Sequence, residues 1–190
     1  GVYCAVDPAL ALLWGRVENT AVVFIPSAVY LFSLAVTGRH YAFRVPALAA
    51  GVLSGLFAFL VLFTGSFVTG IQTFPWGPYL RYGPASVPFL LFFFGVMVAS
   101  LALFRQGHRN APSEAHRRRM KLFLAAFGVA YLGSVDFLPA YGVPVYPFGC
   151  LPVFAFLVIA AWTIWKYQLA DITPALAANQ IIRTMSDALL

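Results

Sequence analysis

Charged side chains are scarce here: they make up 9% of 190 residues, and only six are acidic. A soluble globular domain carries about a quarter charged residues. Apolar residues reach 62% of the chain. One water-soluble core of this size cannot hide that much apolar surface, so the solvent must be partly lipid. Histidine and cysteine are equally sparse, with three and two copies. The sequence has no Walker loop, no nucleotide-binding glycine fingerprint and no His-x-x-x-His pair. No catalytic residue, metal ligand or cofactor site is expected. Gly1 to Leu13 has no basic leader before its apolar stretch, so no signal peptide is read.

The net charge of +6 does not point to nucleic acid, because the basic residues gather at the ends of hydrophobic runs. That is how membrane topology is encoded. Five runs approach the roughly 20 residues that a helix needs to cross the hydrocarbon core. They lie at about Val17–Thr37, Val45–Phe67, Ala85–Phe104, Leu122–Leu138 (a short one) and Phe148–Trp165. Phe89-Leu90-Leu91-Phe92-Phe93-Phe94 does not alternate as a lipid-facing strand would, so helices are expected rather than a barrel. The predicted fold is all-α, a polytopic transmembrane helix bundle.

Arg39, His40 and Arg44 follow the first run. Arg105, Arg109, Arg117, Arg118, Arg119 and Lys121 follow the third, and Lys166 and Arg183 follow the fifth. The opposite loops hold only Arg16 and Arg81. The positive-inside rule then places the basic loops, His108 and His116 among them, and the C-terminus in the cytoplasm. The chain is expected to start outside and end inside, which an odd number of spans satisfies. The basic loop would also attract anionic lipid headgroups.

The outer loops Thr73–Tyr79 and Tyr141–Pro147 are rich in Pro, Gly and aromatics. Trp76, Tyr79, Tyr141 and Tyr146 fit two roles: interfacial anchors, or an aromatic mouth over a ligand pocket. Asp136 sits near the outer end of the fourth run. A carboxylate there is costly unless paired, hydrated or neutral. It either holds a ligand or proton inside the bundle or makes an interhelical hydrogen bond. Arg16, Glu18 and Asn19 enter the first run from outside, next to Trp14; Arg16 or Glu18 either pairs with Asp136 or Arg81 across the outer face or forms a charged helix end. Cys4 and Cys150 both fall outside, where a disulfide is permitted; Cys150 also fits a small buried residue.

The tail reads Leu169-Ala170-Asp171-Ile172-Thr173-Pro174. Thr173 before Pro174 is a helix start. Leu176, Ile182, Met185 and Leu189 then make an approximate helical stripe. Such a stripe pairs with its copy in a dimer or lies on the membrane.

The chain resembles the seven-span N-terminal sensor region of bacterial histidine kinases and related signalling proteins. The matching pieces are Leu13-Trp14-Gly15-Arg16 with Phe24-Ile25-Pro26, Tyr82-Gly83-Pro84, Asp136-Phe137-Leu138-Pro139 and Val145-Tyr146-Pro147-Phe148-Gly149. Tyr167-x-Leu169-x-Asp171-Ile172 is the most specific, since it resembles the family's exit from its last span. The resemblance implies that these are the last five of seven spans, with two upstream of Gly1. Met185 to Leu190 is similar to the start of a PAS domain, so the stripe is expected to stop near Met185. Residues 1–168 would be the transmembrane sensor bundle, and 169–190 a cytoplasmic linker helix leading toward that PAS domain.

The function implied is a signal-transduction input in the bacterial inner membrane. It would couple an extracytoplasmic or intramembrane stimulus, small-molecule or membrane-derived, to a histidine kinase or diguanylate cyclase output. Signal would pass through Tyr167, Leu169, Asp171, Ile172 and Pro174, and the C-terminal helix would form a homodimer. Enzymatic activity would belong to the parent protein, not to these residues. The alternative is a small transporter or channel subunit, which would need facing polar residues at mid-bilayer and internal repeats; the spans offer few of the first and no convincing case of the second.

Overall fold

The structure, a computed structural model, describes residues 7–39 and 41–166. It is a helical bundle whose apolar helices suit a bilayer. Four spans are long and apolar enough to cross, at Ala9–Val36, Arg44–Phe63, Ser86–Arg109 and Glu114–Ala140, and a shorter apolar helix follows. Leu91, Val52 and Phe154 are each at least two-thirds exposed, on surfaces that lipid would cover. The linker helix, the relay residues from Tyr167 to Pro174, the PAS-like segment and Cys4 lie outside the described residues.

The first span starts earlier than expected and is broken. Helix α1 (Pro8–Val22) opens with Asp7 as N-cap, whose carboxylate accepts from the Ala9 N–H at 2.9 Å, and with Pro8 at the first position. Arg16 and Glu18 therefore lie within a helix, not at its end. Helix α2 (Ile25–Val36) follows after a two-residue break. Pro26 causes it, because its ring has no N–H to give and clashes with the turn before.

Helix α3 (Arg44–Phe63) repairs the break. It buries Ala47, Ala50, Ser54 and Ala58, a row of small residues that lets backbones approach. The Ser54 hydroxyl donates to the Val23 carbonyl (2.8 Å) and meets the Ser27 hydroxyl (2.7 Å), which also reaches the Ala50 carbonyl. Ser54→Ala should leave the Val23 carbonyl unpaired in an apolar wall and cost about 1 kcal/mol. Reversible unfolding in mixed micelles measures this; Ser54→Thr, which keeps a hydroxyl, should cost less.

After α3 comes a two-stranded antiparallel hairpin, β1 (Val68–Phe74) and β2 (Gly77–Tyr82), where loop had been expected. Pro75 and Trp76 make its turn, and the register slips between Val68 and Gly70. Helix α4 (Ser86–Arg109) then runs the full thickness. Helix α5 (Glu114–Ala130) returns, capped by Ser113, which accepts from the His116 N–H at 3.2 Å. A 3-10 segment, Tyr131–Asp136, and the single turn α6 (Phe137–Ala140) complete that span. Helix α7 (Cys150–Lys166) is last.

Helix α5 packs on both α4 and α7, α2 packs on α4, and α1 on α3. At the arginine-rich end the core is aromatic: Phe104 stacks on Phe123 and Phe127, and Phe127 meets Phe156 of α7 at 4.9 Å. At the hairpin end Phe57, Phe67, Phe89 and Phe93 form a second cluster, which Phe137 joins.

Candidate functional site

Strand hydrogen bonding folds the segment between α3 and α4 back over the bundle, and its side chains tie the first and fourth spans together. Tyr82 donates its hydroxyl to the Asn19 side-chain oxygen Oδ1, and the Asn19 side-chain Nδ2 in turn donates to the Gly15 backbone carbonyl at 2.9 Å. Asn19 is buried. Burial, and then the neighbouring phenols of Tyr79 and Tyr141, push the Tyr82 phenol up from its ordinary value, so it stays a donor. Gly15 makes this seat possible: a Cβ there would meet the Leu80 side chain at 2.3 Å.

On the other side, the Tyr79 hydroxyl donates to the Asp136 carbonyl (2.7 Å), and the Gln72 amide donates to the Pro139 carbonyl. Both acceptors belong to the irregular end of the fourth span. The carbonyls freed there thus find side-chain donors, as backbone in an apolar setting must. The Tyr131 hydroxyl, at the start of the 3-10 segment, donates to the Met97 carbonyl at 2.7 Å, and Ser134 donates to the Tyr131 carbonyl. A 3-10 run of six residues is long for that geometry, the kind of irregular stretch a helical span can bend at, and it is called the hinge below.

Asp136 joins this hinge to the last helix. Its Oδ1 accepts from the Gly149 N–H at 2.8 Å, immediately before α7. Only glycine fits at that position, since a Cβ would stand 2.4 Å from Asp136 Oδ2 and 2.6 Å from the Gly133 carbonyl oxygen. An ion pair across the outer face was one of two alternatives for Arg16 and Glu18, and an interhelical hydrogen bond one of two for Asp136. Among the described residues, however, the ion pairs are those of Glu114 with Arg117 and Arg118. Asp136 takes a backbone donor instead, because Arg16 reaches away toward the Leu62 carbonyl at 3.4 Å.

Between the hairpin, α1 and the hinge lies a cavity of about 210 Å³, lined by Glu18, Asn19, Tyr79, Tyr82, Asp136 and Phe137 among others. Of the residues expected at the site, Glu18, Tyr79 and Asp136 therefore meet. Trp76 stands beside them: its ring stacks on Phe74 at 4.7 Å and meets Tyr79 and Tyr146 edge-on. Tyr141 sits apart from that trio, against Tyr82 and hydrogen-bonded to Ser86 at 2.6 Å. Trp14 and Arg81 are exposed and do not line this cavity. Asn19 was named only as a neighbour of Glu18, and Tyr82 and Gly149 only as pieces of the family's motifs, none of them as a site residue. Their partners lie 63 residues away for Asn19 and 13 for Gly149, and no local pattern announces such contacts.

A family model described as the N-terminal 7TM region of histidine kinase matches residues 2–174. No curated protein and no solved structure matches the chain. With its apolar helical spans, this is a multi-pass membrane protein. The chain belongs to the family of N-terminal 7TM regions of histidine kinases.

Proposed function

We propose that this sensor region carries its signal through the hinge at Tyr131–Asp136 into α7, and from there to a cytoplasmic output domain of histidine kinase or diguanylate cyclase type. The observation behind this reading is the Asp136–Gly149 clasp, which fastens the least regular part of the bundle to its last helix. A switch needs an element with two arrangements and a stimulus that favours one. A 3-10 segment that can relax toward α-helix is such an element, and its change in rise per residue would move α7 directly.

In this reading the hairpin end faces outward from the bacterial inner membrane, and the arginine-rich end faces the cytoplasm. The stimulus enters at the cavity under the hairpin. Residues 169–174 carry the motion onward, and the C-terminal helix pairs with that of a second copy.

Insertion of one to four residues after Asp171 in the full-length protein tests the relay. A rigid helical connector turns by about 100° per residue. Output should therefore swing between high and low as residues are added and recover near the fourth. A level response across the series would sink the relay.

A further inference from the structure

Beneath the polar cavity lies a larger one of about 410 Å³, enclosed by α2, α4, α5, the hinge and α7. That size falls in the range of small-molecule sites, roughly 300–1,000 Å³. Val29, Met97, Phe127 and Phe156 line its deep end; Ser134 and Asp136 line the end nearest the hairpin. Phe127 and Phe137 both touch it, and ten residues of helix and 3-10 turn separate them, roughly 15 Å or more of rise. The shape is a narrow apolar chamber with one polar end.

The polar end is incomplete by charge. The Asp136 carboxylate holds a single hydrogen bond, from the Gly149 N–H, and no cation among the described residues pairs with it. An unpaired carboxylate beside apolar walls is costly, and an ammonium brought by a ligand would supply the missing charge where the low dielectric makes it count. Ser134 gives it no hydrogen bond either, since its one hydroxyl proton goes to the Tyr131 carbonyl.

We propose that this chamber takes one alkyl chain and the primary ammonium of an amine amphiphile, with the chain along Met97, Phe127 and Phe156 and the ammonium on Asp136. That ammonium belongs either to a free alkylamine or to the ethanolamine headgroup of a lipid. The proposal names a stimulus for the sensor reading and rests on that reading for its consequence. Occupancy itself is measured without any output.

The test uses the full-length protein in nanodiscs of phosphatidylcholine and phosphatidylglycerol, with a diazirine-bearing decylamine as photoprobe. Label should map to residues 127–137 and 150–156, and decylamine should compete while decanol does not. Asp136→Asn should cut labelling at least tenfold. Val153→Trp fills the chamber with Asp136 intact and should cut it similarly; size-exclusion chromatography checks that both variants are folded. Phosphatidylethanolamine in the discs competes if the lipid is the source and leaves labelling unchanged if a free amine is. Equal competition by decanol, or undiminished labelling in both variants, would overturn the proposal. Labelling as predicted, with output unmoved by decylamine, would keep the site and remove its role as stimulus.

Discussion

Gly149→Ala is expected to unseat the start of the last helix and to destabilise the bundle by about 3 kcal/mol, the upper part of the usual range for overpacking. The added Cβ would stand 2.4 Å from Asp136 Oδ2 and 2.6 Å from the Gly133 carbonyl oxygen. The carboxylate could rotate away, but only by giving up its bond from the Gly149 N–H. The Gly133 carbonyl cannot rotate away, because it is backbone of the hinge. Either the hinge or α7 must therefore move. Gly128→Ala is the matched control: it lies in α5, and a Cβ there meets nothing within 4 Å. It should be neutral or slightly stabilising, since alanine favours helix over glycine by about 1 kcal/mol. Unfolding in mixed micelles compares the two. A Gly149→Ala protein as stable as Gly128→Ala would mean the clasp is not formed.

The second large effect is expected at the root of the hairpin. Gly83 donates its N–H to the Phe67 carbonyl at 2.8 Å, and a Cβ there would fall 2.3 Å from the Ser66 carbonyl oxygen. That oxygen also accepts from the Ala85 N–H, so it is held in place. Gly83→Ala should cost about 2–3 kcal/mol by overpacking. The loss should be local: the hairpin carries the Tyr79–Asp136, Gln72–Pro139 and Tyr82–Asn19 bonds, and lifting its root loosens all three. Limited proteolysis should then cut within residues 68–82 at least tenfold faster than in the native protein. Gly70→Ala, in the same hairpin with nothing within 4 Å of the added Cβ, should leave the rate unchanged. Equal rates in the two variants would show that the hairpin is not anchored through Gly83.

The helical spans were legible because lipid imposes long apolar runs, and such runs need no partner to be recognised. Their ends were less so. The fourth run was read as starting at Leu122, since Arg117 to Lys121 look like loop, yet the helix starts at Glu114. Charged residues end an apolar run without ending a helix; long basic side chains reach water while their backbone stays helical. The first run was shortened at Arg16 for the same reason.

The hairpin escaped detection because its turn is Pro75-Trp76, not an Asn-Gly or Asp-Gly pair, and because the slipped register at Val68/Gly70 breaks the alternation. The aromatic contact of Trp76 with Tyr79 and Tyr146 follows from that fold, while Trp14 and Arg81 remain outside the cavity. Asp136 stood out as a lone carboxylate in an apolar run, but its partner did not. A backbone N–H has no signature in sequence, and Gly149 stood only as the last residue of the Val145-Tyr146-Pro147-Phe148-Gly149 motif.

In the proposed relay, the hinge and the last helix move relative to each other when the sensor switches. A Cβ on Gly133 would meet the Val153 side chain at 3.2 Å, so cysteines at these two positions can be bridged across that junction. The measurement is output activity of the full-length protein carrying Gly133→Cys and Val153→Cys, with Cys4 and Cys150 replaced by serine, before and after oxidation in membranes. The account predicts that the bridge freezes output at one level and that a reductant restores switching. Output that switches as freely when bridged as when reduced would contradict it.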